Sequence, residues 1–196
     1  LIDGDGSPEV RLCETFDALV RKDRVALFDD LGVAALRLLR VDPEAREKFH
    51  GRFRAIFVDE YQDLDATQFH LIQELAAGHG VLSVVGDDDQ CIYTWRGANP
   101  SYLRDFDQHF DGAQTLLLEE NHRSTRTIVD AARAVIDHNE VRIDKDLVAA
   151  TTEEGSLIEV RRFGGIQAEV SQVVEDVCAL LQGGVPPNTV AVLARN

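Results

Sequence analysis

Two adjacent carboxylates are the first candidates for chemistry. Asp59 and Glu60 directly follow the continuous apolar run Ala55-Ile56-Phe57-Val58. Such a run is typical of a strand buried on both faces of a parallel sheet, whose carboxyl end presents the pair at the sheet edge. Mg²⁺ prefers oxygen ligands, and a neighbouring Glu can orient or deprotonate an attacking water. The alternative interpretation is that acidic residues follow the strand only because strands end at the surface.

A second polar cluster follows the next apolar run, residues 81–85. The loop at 86–98 holds three carboxylates, an amide, two aromatic rings and an arginine: Asp87, Asp88, Asp89, Gln90, Tyr93, Trp95 and Arg96. The sole tryptophan beside an arginine is typical of sites that stack on bases of single-stranded nucleic acid. A solvated acidic turn with ordinary aromatic packing is the alternative.

A third apolar run leads into Glu119-Glu120-Asn121-His122-Arg123-Ser124. An arginine held at such a turn can stabilise charge on a transferring phosphoryl group. A surface arginine and a solvated turn histidine are the alternatives.

The order and spacing of the three clusters resemble motifs II, III and IV of the UvrD/Rep/PcrA-type superfamily 1 DNA helicases. Those motifs read approximately VDEYQD, GDDDQSIYGWRGA and LEENYRS, where this chain has VDEYQD, GDDDQCIYTWRGA and LEENHRS. The resemblance extends from Phe28-Asp29-Asp30-Leu31 to Ala191-Val192-Leu193-Ala194-Arg195-Asn196 and covers most of the chain.

The resemblance implies an ATP- and Mg²⁺-dependent motor. Asp59 would bind Mg²⁺, Glu60 would activate the hydrolytic water, and Gln90 would sense the γ-phosphate of ATP. Arg123 would be an arginine finger from a second domain, and His122 stands where the family has a tyrosine that stacks on adenine.

The same resemblance implies single-stranded DNA as a partner. Tyr93, Trp95 and Arg96 would lie on the path from the ATP cleft to the DNA, with Trp95 stacking on a base. Gln62 and Asp63 also match, and their expected role is to order the loop. Cys91 and Thr94 replace Ser and Gly of the family, changes that should not alter the chemistry.

The elements that must position these residues alternate between helices and strands, which predicts an α/β fold with parallel sheets flanked by helices. The resemblance implies a RecA-like P-loop NTPase fold in two partial domains: 1–113, the back half of the first, and 114–196, the front half of the second. The sequence predicts helices within 12–50, after a capping box at Asp65-Ala66-Thr67-Gln68, after Ser124, and over 170–181. Strands are predicted at 55–58, 81–85, 115–118, 157–160 and 189–193, with a polar connection over 139–156.

Charge and lysine usage restrict the activity expected of the chain. The net charge of −15 means that any DNA contact is local. The three lysines, Lys22, Lys48 and Lys145, each follow a residue other than glycine, so the GxxxxGK[ST] loop that grips phosphates is absent. We therefore predict that this chain alone neither hydrolyses ATP nor unwinds DNA, and that it works with the remaining helicase segments of a parent chain.

Composition favours a soluble, cytoplasmic protein with no membrane partner. There is no apolar run of about 18 residues, and Cys13, Cys91 and Cys178 are widely spaced, as expected of reduced thiols.

Three functions remain open at this point. The first is a fragment of a DNA helicase, with repair as the expected pathway. The second is a helicase-derived interaction module without ATPase activity. The third is a metal-dependent nuclease built on Asp59, Glu60 and residues 87–89, which leaves Gln90, Trp95 and Arg123 without roles.

Overall fold

A computed structural model describes residues 8–23, 25–78 and 80–194. The chain forms two compact units, one of Leu1–Glu119 with Ala134–Leu147, the other of Glu120–Arg133 with Val148–Asn196. Two of the expectations rest on residues outside the described part. They are the reduced thiol of Cys13, whose side chain is not described, and the end of the family resemblance at Arg195 and Asn196. Over the described ranges, no helix has both the length and the apolar character needed to cross a membrane.

The first unit is mainly helical, as the sequence predicts for its N-terminal part. Its helices are α1 (Pro8–Asp23), α2 (Phe28–Val41), α3 (Pro43–His50), α4 (Ala66–Ala76), α5 (Ser101–Arg104) and α6 (Phe106–His109). Asp42 separates α2 from α3, since its carboxylate accepts hydrogen bonds from the backbone N–H groups of Glu44 and Ala45. The predicted capping box at the start of α4 is confirmed, with Asp65 and Gln68 bonded reciprocally.

Two short parallel strands, β1 (Ile56–Val58) and β2 (Leu82–Val84), form the sheet of this unit, with Val58 opposite Val84. Both strands were predicted, but burial of β1 on both faces is wrong. Phe57 is 80% exposed, whereas Val58 and Val84 pack against the core. Successive side chains of a strand point to opposite faces, and in the described residues only one face of this two-stranded sheet is covered.

The core that supports the strand ends is aromatic. Tyr61, Leu64 and Phe69 are buried together. Phe69 stacks on Tyr102 with ring centroids 3.9 Å apart, and Tyr61 meets Phe106 edge to face at 5.6 Å. This packing fixes the turn that follows β1, because Tyr61 is the first residue of that turn and is fully buried.

The second unit contains the parallel strands β3 (Glu120–Asn121) and β4 (Val148–Ala149), the helix α8 (Ile166–Gln182) and most of α7 (Arg126–Ile136). Strand β4 falls within the segment predicted to be a polar connection. The helix predicted over 170–181 is confirmed by α8, and α7 begins at Arg126, later than a cap at Ser124 implies.

Three strand predictions are wrong. Residues 115–118, 157–160 and 189–193 form no strand in the described structure. Leu116, Leu157 and Val160 are each more than 80% exposed. An apolar run becomes a strand only where a neighbouring strand pairs with its N–H and C=O groups, and in the described residues each sheet has two strands.

Candidate functional site

Asp59 and Glu60 lie exposed at the carboxyl end of β1, as predicted. Asp59 Oδ1 accepts a hydrogen bond from the backbone N–H of Glu60 at 3.0 Å. Glu60 adopts the left-handed conformation (φ 52°, ψ 43°), alone among the described non-glycine residues in having a positive φ. This conformation is costly for a residue with a Cβ, and such strain tends to occur at functional sites. It turns the chain directly after Asp59 into the one-turn helix Tyr61–Asp63.

Gln62 connects the ends of the two strands. Its side chain donates from Nε2 to Glu60 Oε2 at 2.7 Å, and its Oε1 accepts from the backbone N–H of Asp87 at 3.0 Å. Gln62 is 1% exposed, so both hydrogen bonds are protected from water at the amide. A Cβ at Gly86 would lie 2.6 Å from Gln62 Oε1, so glycine permits this close approach. These contacts agree with the loop-ordering role expected of Gln62.

The acidic turn, defined as Asp87–Asp89, follows β2 and holds the side chain of Gln90. Gln90 Nε2 donates to Asp87 Oδ2 at 2.9 Å, while Asp87 Oδ1 accepts from the N–H of Asp89 at 3.1 Å. Gln90 itself is exposed. The amide of Gln90 is therefore held at the surface by Asp87, whose backbone is bonded to Gln62.

Lys145 is the residue at this site that the sequence did not reveal. Its ammonium lies 2.6 Å from Asp87 Oδ1, 3.3 Å from Asp88 Oδ1 and 2.8 Å from Asp89 Oδ2. The one available signal was that three consecutive carboxylates attract a cation if the fold packs against them. Nothing in the sequence identifies a lysine almost 60 positions away as that cation.

Other groups from the same segment complete the contacts of the acidic turn. The backbone N–H of Ile143 donates to Asp88 Oδ2 at 2.9 Å, and Asn139 Nδ2 donates to Asp89 Oδ1 at 3.2 Å. Arg142 Nε lies 3.6 Å from Asp89 Oδ2. Residues 139–145, predicted to be a plain connection, thus pack on the acidic turn.

The ion pairs shift the titration of both partners. Burial by itself would raise the pKa of Asp87, but hydrogen bonds from Lys145 and Gln90 outweigh it and hold the pKa below its usual range. Burial would likewise lower the pKa of Lys145, yet the contacts with Asp87 and Asp89 raise it above the usual lysine value. Both groups are therefore charged at neutral pH.

Two sets of carboxylates at this edge have the chemistry of a metal site. Oxygens of the three residues of the acidic turn lie within 4.8 Å of one another, but the Lys145 ammonium already contacts all three. Asp59 and Glu60 are exposed and, within the described residues, are not paired with a cationic side chain. Their oxygens suit a hard cation such as Mg²⁺, so this pair fits the predicted metal better than the acidic turn does.

The aromatic part of the same loop forms an exposed surface. Tyr93 precedes the one-turn helix Thr94–Arg96, and the ring centroids of Tyr93 and Trp95 lie 6.5 Å apart. The guanidinium carbon of Arg96 is 5.7 Å from the Tyr93 ring and 5.8 Å from the Trp95 ring. Trp95 is 78% exposed. An exposed indole beside a cation can stack on a base while the cation attracts phosphate.

His122 and Arg123 lie in the second unit, directly after β3, and both side chains are exposed. Asn121 Oδ1 accepts hydrogen bonds from the N–H groups of Arg123 and Ser124 at 3.0 and 2.8 Å, which shapes the turn. His122 Nε2 lies 3.5 Å from Glu120 Oε2. The turn therefore presents an imidazole and a guanidinium to solvent.

The chain is similar to two protein-family models and to individual helicases. The model of the UvrD/REP helicase N-terminal domain matches residues 7–111, and the model of the UvrD-like helicase C-terminal domain matches residues 116–196. The putative ATP-dependent DNA helicase YjcD of Bacillus subtilis is 36% identical over 94% of this chain and 24% of its own length. The ATP-dependent DNA helicase PcrA of Staphylococcus epidermidis is 37% identical over 86% of this chain and 23% of its own length. PcrA of Leuconostoc citreum is 39% identical over 67% of this chain and 18% of its own length.

The chain spans about a quarter or less of the length of these relatives. The two family models follow one another along the chain in the order N-terminal, then C-terminal, and together they cover nearly all of it. The carboxylate pair after β1, the loop after β2 and the turn after β3 lie within the matched residues. On these matches, the chain belongs to the UvrD/Rep helicase family.

Proposed function

We propose that this chain carries part of the ATP-hydrolysing centre and part of the single-stranded DNA path of a DNA helicase with RecA-like domains. The observation that supports it most is the hydrogen-bonded connection from Glu60 through Gln62 and Asp87 to Gln90. It joins the residue expected to activate water to the residue expected to contact the γ-phosphate.

In this proposal Asp59 would hold the Mg²⁺ that accompanies ATP. When bound, Mg²⁺ would supply positive charge against the phosphates. Glu60 orients the attacking water and accepts its proton. Gln62 donates to Oε2 of Glu60, which leaves Oε1 for the water. Gln90 donates to the γ-phosphate, so loss of that phosphate changes the contacts of its loop.

The same loop carries the proposed DNA contact. Trp95 stacks on a base of single-stranded DNA, and Tyr93 and Arg96 flank it. Trp95 follows Gln90 by five positions, so a change in the contact between Gln90 and phosphate reaches the stacking ring through a short length of backbone. The contact is local because the chain as a whole carries a net charge of −15.

The second partial domain, 114–196 in this proposal, contributes Arg123 as the arginine finger and His122 as the ring that stacks on adenine. The turn bonded to Asn121 supports this role because it presents both side chains to solvent. An imidazole offers less stacking area than the phenol ring found in the family, so base binding through His122 is expected to be weaker.

The chain by itself is proposed to be inactive. Its sequence has no Gly-Lys pair, so it supplies no lysine for a phosphate-gripping loop. The same observation favours a second candidate, a helicase-derived interaction module that does not hydrolyse ATP. DNA-stimulated ATPase activity of the full-length gene product separates the two candidates, since only the motor hydrolyses ATP.

The decisive experiment measures ATP hydrolysis by the full-length gene product with and without single-stranded DNA. We expect DNA to stimulate hydrolysis and Glu60→Gln to lower kcat by about 10²–10⁴-fold, as when a general base is lost. Binding of ATP should persist. Glu47→Gln, an equal change at an exposed position of α3, serves as the control.

Two results would count against the proposal: hydrolysis that DNA does not stimulate, or a Glu60→Gln protein as active as the control. Mg²⁺-dependent cleavage of DNA that is lost with Asp59→Asn would instead support the nuclease.

A further inference from the structure

We propose that Lys145 is a positioning residue that holds the acidic turn in the conformation in which Asp87 presents Gln90. The inference rests on the proposed function only for the role of Gln90 at the γ-phosphate. The contact between Lys145 and the acidic turn is independent of that role.

The Lys145 ammonium lies among the three carboxylates of the acidic turn. It lies within 3.3 Å of an oxygen of each, while its side chain is only 16% exposed. The contacts with Asp87 and Asp88 are hydrogen bonds, and the contact with Asp89 is an ion pair. Charge-assisted hydrogen bonds are roughly twice as strong as neutral ones. A half-buried carboxylate cluster without a cation would repel itself and change conformation.

Charged groups of both signs surround the acidic turn. The charged groups that face it are Asp87, Asp88, Asp89, Asp137, Arg104, Arg142 and Lys145. Arg104 lies 4.0 Å from Asp88, and Arg142 lies 3.6 Å from Asp89 and also pairs with Asp137. In the described part of the chain, Lys145 is the cation that contacts all three carboxylates, so neither arginine replaces it.

The carboxylate of Asp87 connects Lys145 to Gln90. One oxygen of Asp87 accepts from Lys145 and the other accepts from Gln90. Because the Lys145 ammonium holds Oδ1 of Asp87, the position of Oδ2 is restricted as well. Oδ2 accepts the hydrogen bond from Gln90, so its position determines where the Gln90 amide lies. The N–H of Asp87 is bonded to Gln62, which in turn holds Glu60. Lys145 therefore acts on Gln90 through a single side chain, the carboxylate of Asp87.

The segment that carries Lys145 is connected along the chain to the second unit at both of its ends. Residues Ala134–Leu147 pack in the first unit, although the chain reaches them from α7 and leaves them into β4 of the second unit. Lys145 precedes Val148, the first residue of β4, by three positions. The loop that carries Gln90 is thus held by a segment whose two ends continue into the other unit.

A direct test is hydrogen exchange of the full-length protein in three versions: unmodified, Lys145→Met and Lys145→Arg. Lys145→Met keeps most of the side-chain length and removes the charge, and Lys48→Met makes the same change at an exposed position of α3. We expect Lys145→Met to speed exchange in peptides covering 86–98 and 139–147, with α2 and α4 unchanged. Lys145→Arg should restore most of the protection, and Lys48→Met should have no effect.

The catalytic readout is DNA-stimulated ATP hydrolysis by the same proteins. Loss of a residue that orients a metal ligand typically costs about 10–100-fold in activity, and we take the same range for a residue that orients Gln90. We expect a fall of this size in kcat for Lys145→Met, a smaller change in KM for ATP, and recovery with Lys145→Arg. A protein that merely folded less well would lose active fraction without the selective exchange in 86–98.

The outcomes are distinguishable. Unchanged exchange in 86–98 for Lys145→Met would overturn the positioning role, and so would faster exchange throughout α2 and α4, because that result indicates a general folding role. If exchange changes as expected but the unmodified protein shows no DNA-stimulated hydrolysis, the proposed function fails while the contact of Lys145 with the acidic turn stands. If hydrolysis is present and Lys145→Met retains full kcat, the positioning role fails alone.

Discussion

Replacement of Gln62 by leucine tests the connection between the two strand ends most directly. Gln62→Leu nearly preserves side-chain volume in a site that is 1% exposed, and it removes both hydrogen bonds of the amide. Because little cavity is created, the loss of stability reports mainly the hydrogen bonds.

The magnitude follows from what each partner loses. Glu60 is exposed, so its carboxylate can turn to water, and its lost 2.7 Å bond costs about 1 kcal/mol, the typical net contribution of an ordinary hydrogen bond. The N–H of Asp87 is half-buried and is left without its acceptor, which costs about 1–3 kcal/mol. We therefore expect Gln62→Leu to lower the free energy of unfolding by about 2–4 kcal/mol, the sum of these two losses.

The assay is urea unfolding followed by far-ultraviolet circular dichroism. The helices α1 to α6 belong to the same compact unit as Gln62, so loss of the helical signal reports unfolding of that unit. Gln108→Leu, at an exposed position of α6, is the matched control and should change the free energy of unfolding by less than about 0.5 kcal/mol. A loss below about 1 kcal/mol for Gln62→Leu would refute the reasoning, since a single buried hydrogen bond already contributes about that much.

Three further predictions concern the ion pairs, the α4 cap and the aromatic surface. The pKa of Asp87 is lowered and that of Lys145 is raised, so their pairing stabilises the fold fully between about pH 4 and pH 10. The difference in unfolding free energy between the unmodified and Lys145→Met proteins should shrink as the pH falls through the folded-state pKa of Asp87. Urea titrations at pH 7 and pH 3 measure this difference. An equal difference at the two pH values would contradict the prediction. Asp65→Ala removes the α4 cap and should cost about 1 kcal/mol in the same titration, with no comparable loss for Asp111→Ala at an exposed position. Trp95→Ala should weaken binding of a labelled single-stranded oligonucleotide by about 1–3 kcal/mol in fluorescence anisotropy without lowering the melting temperature, because the ring is 78% exposed; unchanged affinity would argue against stacking.

Local signals in the sequence were sufficient for the longer helices and for two strands, but not for the short helices α5 and α6, which were not predicted. The Asp65 capping box predicted α4, and the Asp42 cap of α3 is equally local, because caps act between residues two or three positions apart. The run at 115–118 is as apolar as the runs that form β1 and β2. It nevertheless forms no strand in the described structure, where pairing begins at Glu120. Pairing depends on a partner strand distant in sequence, which an apolar run does not specify.

The candidate site shows the same difference between features that are local in sequence and contacts between distant residues. The sequence by itself determined which chemical groups follow β1, β2 and β3, since Asp59, Glu60 and Gln90 are fixed by their order along the chain. Only the tertiary structure decided which cation neutralises the acidic turn. Lys145 reaches Asp87 across 58 positions, and contacts between residues so far apart depend on how the intervening chain packs. The physical reason is that motifs and caps are local, whereas ion pairs of this kind form only after the core has brought distant segments together.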